Sequence, residues 1–320
     1  MRQRRLVVVT GVGPEHRYVA NRLCLAVPVR AVVVDVRARR PRLRRVLRGG
    51  LRRSLSRVGL RLLRNALRDR AHRDAAVKRI LGEQLASAFL MAERVVEVPG
   101  VNSPEALAAV ARLQPDAILV YGTSIVCDEL LGTAGDVAFN LHTGMSPRYR
   151  GTDCAFWPIV NREPAWIGAT VHECTAEVDG GPVFAVAAAD WERDDGLHEL
   201  FARAVAKGAE LYVDVARRYL EGELNGEPQD LTVGHEYRGY MRTLVPELRA
   251  RWALRRGLLQ ESSRLDEAPR SDRESPALAP RSLARRSSAL PSPLTPEVRR
   301  KKEATENVGG VTDHPERSDR

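Results

Sequence analysis

"DAILVYGTSIVCDELLGTAGDVAFNLH", from Asp116 to His142, contains two apolar runs, and each run ends in polar or small residues. The first run gives way to Gly122 to Ser124, and the second ends on Asn140 and His142. Continuous apolar runs predict strands that are buried on both faces, as in a parallel sheet. Ligands of open parallel sheets collect at the carboxyl ends of the strands. We therefore expect both polar groups at one ligand-binding edge.

Other segments repeat this alternation of strand and helix. The β-branched run before Gly11 and the run "VRAVVVDV" predict the first two strands, and "RVVEVP" predicts a third. Ser103 followed by Pro104 is typical of a helix start, and the last long amphipathic helix is predicted over 195–221. "WIGATVHE" and the run after Gly180 predict two further strands. The fold class is therefore an α/β fold with an open, mostly parallel Rossmann-like sheet and helices on both faces.

Composition divides the chain into three parts. Residues 1–221 are predicted to form the main α/β domain, 222–260 a C-terminal extension, and 261–320, which are rich in Ser, Pro and charged residues, a disordered polar tail. Within the domain, residues 37–73 form an Arg-rich insertion with Leu and Val at helical intervals. Three interpretations of this insertion remain open: a solvated helix packed on the domain, a membrane-surface helix, and a site for an anionic acceptor.

The net charge of +10 is weak evidence for a nucleic-acid partner. Only four of the 51 basic residues are lysines, and such a bias is typical of a GC-rich genome. Nucleic-acid binding is therefore not expected, whereas peripheral membrane contact through 37–73 is kept as a hypothesis. The composition does not predict an oligomeric state.

The four cysteines have no CxxC spacing, which predicts neither a zinc site nor a redox pair. The apolar run at the N-terminus is too short for a signal peptide, and no run is long enough to cross a bilayer. The sequence therefore predicts a cytoplasmic protein without a metal.

The glycines after the first predicted strand, Gly11 and Gly13, could hold a phosphate at a helix N-terminus. The Rossmann fingerprint is incomplete, because the third glycine is missing and Pro14 lacks an amide donor. Dinucleotide binding is therefore not the favoured interpretation.

Asn140 and His142 are one residue apart, so an extended strand points both side chains to the same side. There a carboxamide and an imidazole can address one carbonyl oxygen, the first as an oxyanion donor and the second as a donor or proton carrier. A satisfied structural Asn and His at a strand end is the alternative. No G-x-S-x-G motif supports a serine hydrolase.

"NLHTGMSPRYRG", Asn140 to Gly151, resembles the signature of formyltransferases that use 10-formyltetrahydrofolate. In that family an Asp follows in an acidic, Gly-rich turn, and "AEVDGGPVF" supplies Asp179 at the corresponding place. The resemblance extends over about Leu6 to Leu220, and it is strongest from Pro115 to Val186. It is closest to a stand-alone catalytic domain of the methionyl-tRNA formyltransferase type.

The resemblance implies a catalytic set of Asn140, His142 and Asp179. Asn140 would polarise the formyl oxygen, and His142 would stabilise the charged intermediate or carry its proton. Asp179 would orient His142, balance its charge and assist deprotonation of the amine. His172 and Glu173 are expected to pack beside the site rather than to act.

The resemblance also implies binding of 10-formyltetrahydrofolate between two segments at the strand ends. The residues that match these segments are Gly122, Thr123, Ser124, Gly144, Met145, Ser146 and Pro147. The family loop usually has a Ser and two leucines where this chain has Gly144 to Ser146. Arg148 and Arg150 either bind an anion of the acceptor or folate or are solvated.

The expected acceptor is the primary amine of a small molecule. A sugar-linked amine is preferred by elimination, because the sequence after Glu221 has little of the strand pattern of the β-barrel that accompanies tRNA formylation in this family. Three alternatives remain open at this point: a 10-formyltetrahydrofolate hydrolase, a methionyl-tRNA formyltransferase, and a noncatalytic protein that binds anions or membranes.

Overall fold

The protein is built on a sheet whose strands come from β-branched runs. The computed structural model describes residues 4–36 and 51–267. In this part of the chain one sheet has seven strands in the order β3-β2-β1-β4-β5-β7-β8. The strands are β1 Leu6–Thr10, β2 Val29–Asp35, β3 Val95–Val98, β4 Ala117–Tyr121, β5 Val137–His142, β7 Gly168–Glu173 and β8 Val183–Ala188. Neighbouring strands among β1 to β5 run parallel to each other, whereas β7 runs antiparallel to both of its neighbours, β5 and β8.

Helices cover both faces of this sheet. One face packs against α1 (Pro14–Ala26), α3 (Asp69–Leu81), α4 (Glu83–Ser87) and α8 (Leu197–Glu221). The other face packs against α5 (Pro104–Leu113) and α6 (Asp128–Leu131). Ser103 caps α5 as predicted, since its hydroxyl accepts a hydrogen bond from the Ala106 amide at 3.2 Å. The predicted α/β fold class is confirmed.

The residues after α8 pack back onto the domain. β9 (His235–Tyr237) pairs in parallel with β6 (Tyr149–Gly151), which lies in the segment that follows His142. Helices α9 (Leu244–Arg255) and α10 (Leu258–Glu267) share an apolar cluster with α7 (Trp157–Val160). The Tyr237 ring stacks between those of Trp157 and Tyr149, with centroid separations of 4.5 and 5.8 Å. The predicted extension is therefore part of the same packed body.

The disordered tail was predicted to begin at residue 261, whereas the structure is helical through residue 267. α10 continues through residues 261–267, because Leu258 and Leu259 are buried and Glu261 forms an ion pair with Arg162 at 3.1 Å. Residues 268–320 lie outside the described part of the chain. The same is true of residues 37–50 of the Arg-rich insertion.

The described part of the insertion, residues 51–73, is helical, as predicted, and forms α2 (Leu51–Ala66) and the start of α3. Its position is fixed by the carboxylate of Glu247 on α9, which is fully buried. This carboxylate is 3.1 Å from Arg64 of α2, 3.0 Å from Arg242 and 2.9 Å from Arg251. Burial raises the pKa of Glu247, but the charges of Arg242 and Arg64 outweigh burial and keep it below the usual value.

We expect Glu247→Gln to lower the free energy of unfolding by about 3 kcal/mol, because three arginines lose their shared buried anion. Glu261→Gln is the matched control: its pair with Arg162 is exposed and should contribute less than about 1 kcal/mol. Urea unfolding followed by circular dichroism measures both values. Equal stabilities for the two variants would contradict the assigned role of Glu247.

Candidate active site

Three predicted residues converge at the carboxyl end of β5. Asn140 and His142 project to the same side of the strand, and Asp179 reaches them from the turn between β7 and β8. The Asp179 carboxylate is 3.3 Å from the Asn140 Nδ2 atom and 3.3 Å from the His142 Nδ1 atom. Asp179 has a φ of 49°, an uncommon conformation for a residue with a side chain. The turn therefore holds this carboxylate in a specific direction.

Other groups also contact the Asp179 carboxylate. The backbone N–H of Gly151 donates to Oδ2 at 2.7 Å, and His172 Nε2 lies 3.3 Å from Oδ1. The Gln229 amide donates to the backbone carbonyls of Asp179 and Gly181 at 3.1 and 2.5 Å. Asp179 is thus held both through its side chain and through its backbone.

His172 contributes more to the site than its sequence context suggests. It lies directly opposite Asn140 in the antiparallel pair of β5 and β7. Its Nδ1 atom is 2.8 Å from the Glu173 carbonyl, and its Nε2 atom is 3.1 Å from the Asn140 amide nitrogen. A carbonyl only accepts hydrogen bonds, so we assign the proton to Nδ1, and Nε2 then accepts from Asn140.

This assignment accounts for both N–H groups of Asn140. One points to His172 at 3.1 Å, and the other points to Asp179 at 3.3 Å. The contact with Asp179 is the longer of the two and lies at the long end of the range for a hydrogen bond.

His142 faces an acceptor on each side of its ring. Its Nε2 atom is 2.9 Å from the Tyr149 carbonyl, which requires Nε2 to carry a proton, while Nδ1 faces Asp179. Burial lowers the pKa of His142, and the charge of Asp179 opposes this effect only in part. A neutral His142 therefore has a free Nδ1 lone pair, and a proton that arrives there is shared with the carboxylate.

Asp179 itself stays ionised. Burial raises its pKa, but the attraction of a protonated His142 and the hydrogen bond from the Gly151 amide outweigh burial and hold the pKa well below its usual range. The site thus combines a fixed anion, a proton acceptor next to it, and an amide donor.

Thr170, a second residue that the sequence did not single out, fixes the loop after β5. Its hydroxyl donates to the Gly144 carbonyl at 2.7 Å and accepts from the Ser146 amide at 3.0 Å. Thr170 pairs with His142 across the strands, as His172 pairs with Asn140. Alternation along β7 could have suggested both residues, but only once its antiparallel register with β5 was known.

Gly144 stands where no side chain fits. A Cβ atom there would collide with the His142 ring and the Cys154 side chain, and it would lie 2.8 Å from the Tyr149 carbonyl. The absence of a side chain lets the loop approach His142 closely.

The other predicted folate contacts differ in exposure. Met145 is almost fully buried and Ser146 is buried, and the Ser146 hydroxyl has no hydrogen-bond partner among the described residues. The peptide bond between Ser146 and Pro147 is cis. Gly122 to Ser124 follow β4 at the same edge of the sheet, because Tyr121 pairs with Leu141 of β5.

The glycine turn after β1 does not present a phosphate site. Glu15 lies in the first turn of α1, and its buried carboxylate pairs with Arg73 of α3 at 2.5 Å. A carboxylate near the helix N-terminus competes with any external anion for the positive end of the helix dipole. The structure therefore agrees with the low weight given to dinucleotide binding.

Arg148 is engaged within the protein. It forms two hydrogen bonds to Glu163, at 2.6 and 3.1 Å, and its guanidinium lies over the Trp166 ring. Arg150 donates to the Leu231 carbonyl at 3.3 Å. These contacts give both side chains a structural role in fixing the loop.

Residues 71–216 match the family model described as formyl transferase. Over these residues the chain is similar to the formyl transferase family. The matched segment includes Asn140, His142 and Asp179, and it begins after β1 and β2.

Several solved structures resemble this chain at low sequence identity. They include a sugar N-formyltransferase from Shewanella sp. (13% identity, TM-score 0.48, covering 74% of this chain and 78% of that one) and a 4-N formyltransferase from Francisella tularensis (13%, 0.47, 75% and 78%). A glycinamide ribonucleotide transformylase from Symbiobacterium toebii has 20% identity and a TM-score of 0.45, over 71% and 94%. Values this low leave the family match and the site geometry as the basis for function.

We expect the pKa of His142 to lie below 6.5, the usual histidine value, because burial outweighs the attraction of Asp179. In Asp179→Asn the midpoint should fall further, since the charge that favours the protonated ring is removed. NMR titration of labelled histidines measures both midpoints, with His142→Gln identifying the signal. A midpoint above 6.5 in the unchanged protein would contradict this order of effects.

We expect Gly144→Ala to displace His142 and to lower the free energy of unfolding by about 1 to 3 kcal/mol through overpacking. Gly239→Ala is the matched control, because the added Cβ meets only the Thr152 methyl at 3.7 Å. Thermal unfolding and the His142 NMR signal report the two effects. An unshifted His142 signal in Gly144→Ala would show that the loop has room for a side chain.

Proposed function

We propose that the protein transfers a formyl group from 10-formyltetrahydrofolate to the primary amine of a small molecule. The observation that carries this proposal is the convergence of Asn140, His142 and Asp179 within a segment that matches formyl transferases. Formyl transfer builds negative charge on the formyl oxygen and positive charge on the amine nitrogen. The site offers a donor for the first charge and a proton acceptor for the second.

In the proposed reaction Asn140 binds the formyl oxygen. The formyl oxygen accepts the N–H that points to Asp179, whose Oδ1 atom is 3.3 Å from the Asn140 nitrogen in this structure. The N–H toward His172 keeps the carboxamide oriented. The donor is then in place before negative charge develops on the oxygen, which is the condition for electrostatic stabilisation.

His142 and Asp179 handle the proton. The amine nitrogen bonds to the formyl carbon and releases a proton, which Nδ1 of His142 accepts next to the Asp179 carboxylate. The same proton then passes to the folate nitrogen as its bond to the formyl carbon breaks. The chain's own groups balance both charges at each stage.

Two segments flank this edge and are proposed to hold the cosubstrate, which supplies a formyl carbon on a nitrogen leaving group. Gly122 to Ser124 follow β4, and Gly144 to Pro147 follow β5. One feature fits a ligand here: the buried Ser146 hydroxyl has no partner among the described residues. The assignment of these residues to folate remains a proposal.

A sugar-linked amine is the acceptor class that we propose to test first. Among the described residues after α8, the chain forms the short strand β9 and helices α9 and α10. This arrangement differs from the β-barrel that accompanies tRNA formylation in the resembled family, which disfavours a tRNA acceptor.

We expect release of tetrahydrofolate from 10-formyltetrahydrofolate in the presence of an amine panel, with a formamide product detected by mass spectrometry. Asn140→Ala and His142→Ala should each lower kcat about 100-fold or more, because a transition-state donor or the proton acceptor is lost. Asn65→Ala and His72→Ala, at exposed positions, should retain full activity. Thermal unfolding must show that all four variants are folded.

Three outcomes would contradict the proposal. Production of formate without any formamide would indicate a hydrolase, and full activity of folded His142→Ala would refute the assigned proton route. Absence of folate binding would remove the cosubstrate itself.

A further inference from the structure

Helix α2 presents an apolar stripe to solvent. Leu55, Val58 and Leu62 recur at helical spacing, and 61%, 47% and 63% of their surfaces are exposed. Leu60, elsewhere on the same helix, is buried. The helix is therefore apolar both where it packs on the protein and where it faces outward.

Helix α9 carries a second stripe with the same spacing. Val245, Leu248 and Trp252 are each about half exposed, and Tyr240 and Met241 add exposed apolar surface just before the helix. Isolated exposed apolar residues are common, but clustered ones mark interaction surfaces.

The two helices contact each other. The Leu244 amide of α9 donates to the Ser56 hydroxyl of α2 at 3.2 Å, and Arg64 of α2 reaches Glu247 of α9 at 3.1 Å. The two stripes thus belong to adjoining helices that the buried Glu247 holds together. We call them the α2–α9 surface, defined by Leu55, Val58, Leu62, Val245, Leu248 and Trp252.

The surroundings of the α2–α9 surface are strongly basic. The described side chains from Leu55 to Arg68 include four arginines, Arg57, Arg61, Arg64 and Arg68, and no acidic residue. Arg61 and Arg68 are exposed near the first stripe, and Arg249, Arg255 and Arg256 are exposed near the second. Arg256 lies over the Trp252 ring, 5.0 Å from its centroid. Apolar residues next to arginines are typical of helices that lie at a membrane interface.

We propose that the α2–α9 surface docks onto a membrane that contains anionic lipids. The leucines, valines and Trp252 enter the boundary between headgroups and acyl chains, and the arginines contact lipid phosphates, with their aliphatic parts along the apolar layer. This inference concerns a surface separate from the proposed catalytic residues and does not depend on formyl transfer.

The surface chemistry favours a membrane over two other partners. A symmetric dimer through this surface would bring the same arginine-rich segments of two copies together, and like charges would repel. A nucleic acid would neutralise the arginines but would leave the exposed leucines and Trp252 without an apolar environment. An anionic bilayer satisfies both features.

The test is vesicle flotation of the full chain, without folate or amine, using phosphatidylcholine vesicles with and without one quarter phosphatidylglycerol. We expect binding to the anionic vesicles only. Leu62→Glu combined with Trp252→Glu should reduce the bound fraction at least about tenfold, because both stripes lose apolar contact and gain repulsion. Leu25→Glu is the matched control: Leu25 is 60% exposed on α1, outside the surface, and this variant should bind like the unchanged protein.

Tryptophan fluorescence gives an independent readout. Anionic vesicles should shift the emission to shorter wavelength, and Trp252→Phe should remove that shift although three other tryptophans remain. A purely electrostatic attachment would leave the emission unchanged and would refute insertion of the apolar stripe.

Other outcomes would also overturn the proposal. They are equal vesicle binding by the folded Leu62→Glu, Trp252→Glu variant, binding of tRNA or duplex DNA in place of vesicles, and a dimer by light scattering that the double variant dissociates. Formyl transfer, measured separately, is expected to be unchanged in the double variant, so loss of either property identifies which proposal has failed.

Discussion

The negative charge of Asp179 is the constraint on which the candidate site depends. A buried carboxylate is costly unless donors surround it, and here the surrounding groups come from β5, from β7 and from the Gly151 amide of β6. Gln229, about fifty residues later, holds the backbone of the same turn. The carboxylate is satisfied only when these distant segments are assembled together. Formation of the site is therefore coupled to completion of the fold.

A second buried carboxylate joins the less regular parts of the chain. Glu247 connects α2, from the Arg-rich insertion, with α9, from the C-terminal extension. Among the described residues, neither helix contributes to the clusters that cover the central sheet, and Glu247 links the two. None of the described helices is long and apolar enough to span a membrane.

The sequence predicted those parts of the molecule that depend on local patterns. Continuous apolar runs identified the central strands, and the spacing of Asn140 and His142 placed both side chains on one side of β5. His172 was expected only to pack beside the site, and Thr170 was missed, because their contacts follow from the antiparallel register of β7 against β5, which no local pattern encodes. The strand β9 has only three residues, and its partner lies more than eighty positions earlier. Long-range pairing of this kind is decided by the assembled fold.

The segment that matches the family model leaves out part of the central sheet. The matched residues, 71–216, exclude β1, which lies between β2 and β4 near the middle of the sheet, and they also exclude β9, which flanks the loop after His142. The matched segment thus lacks strands from the middle of the sheet and the strand that pairs with β6 in the segment after His142. Residues outside 71–216 complete the sheet of this chain, so a truncation to the matched segment would remove part of the packed core.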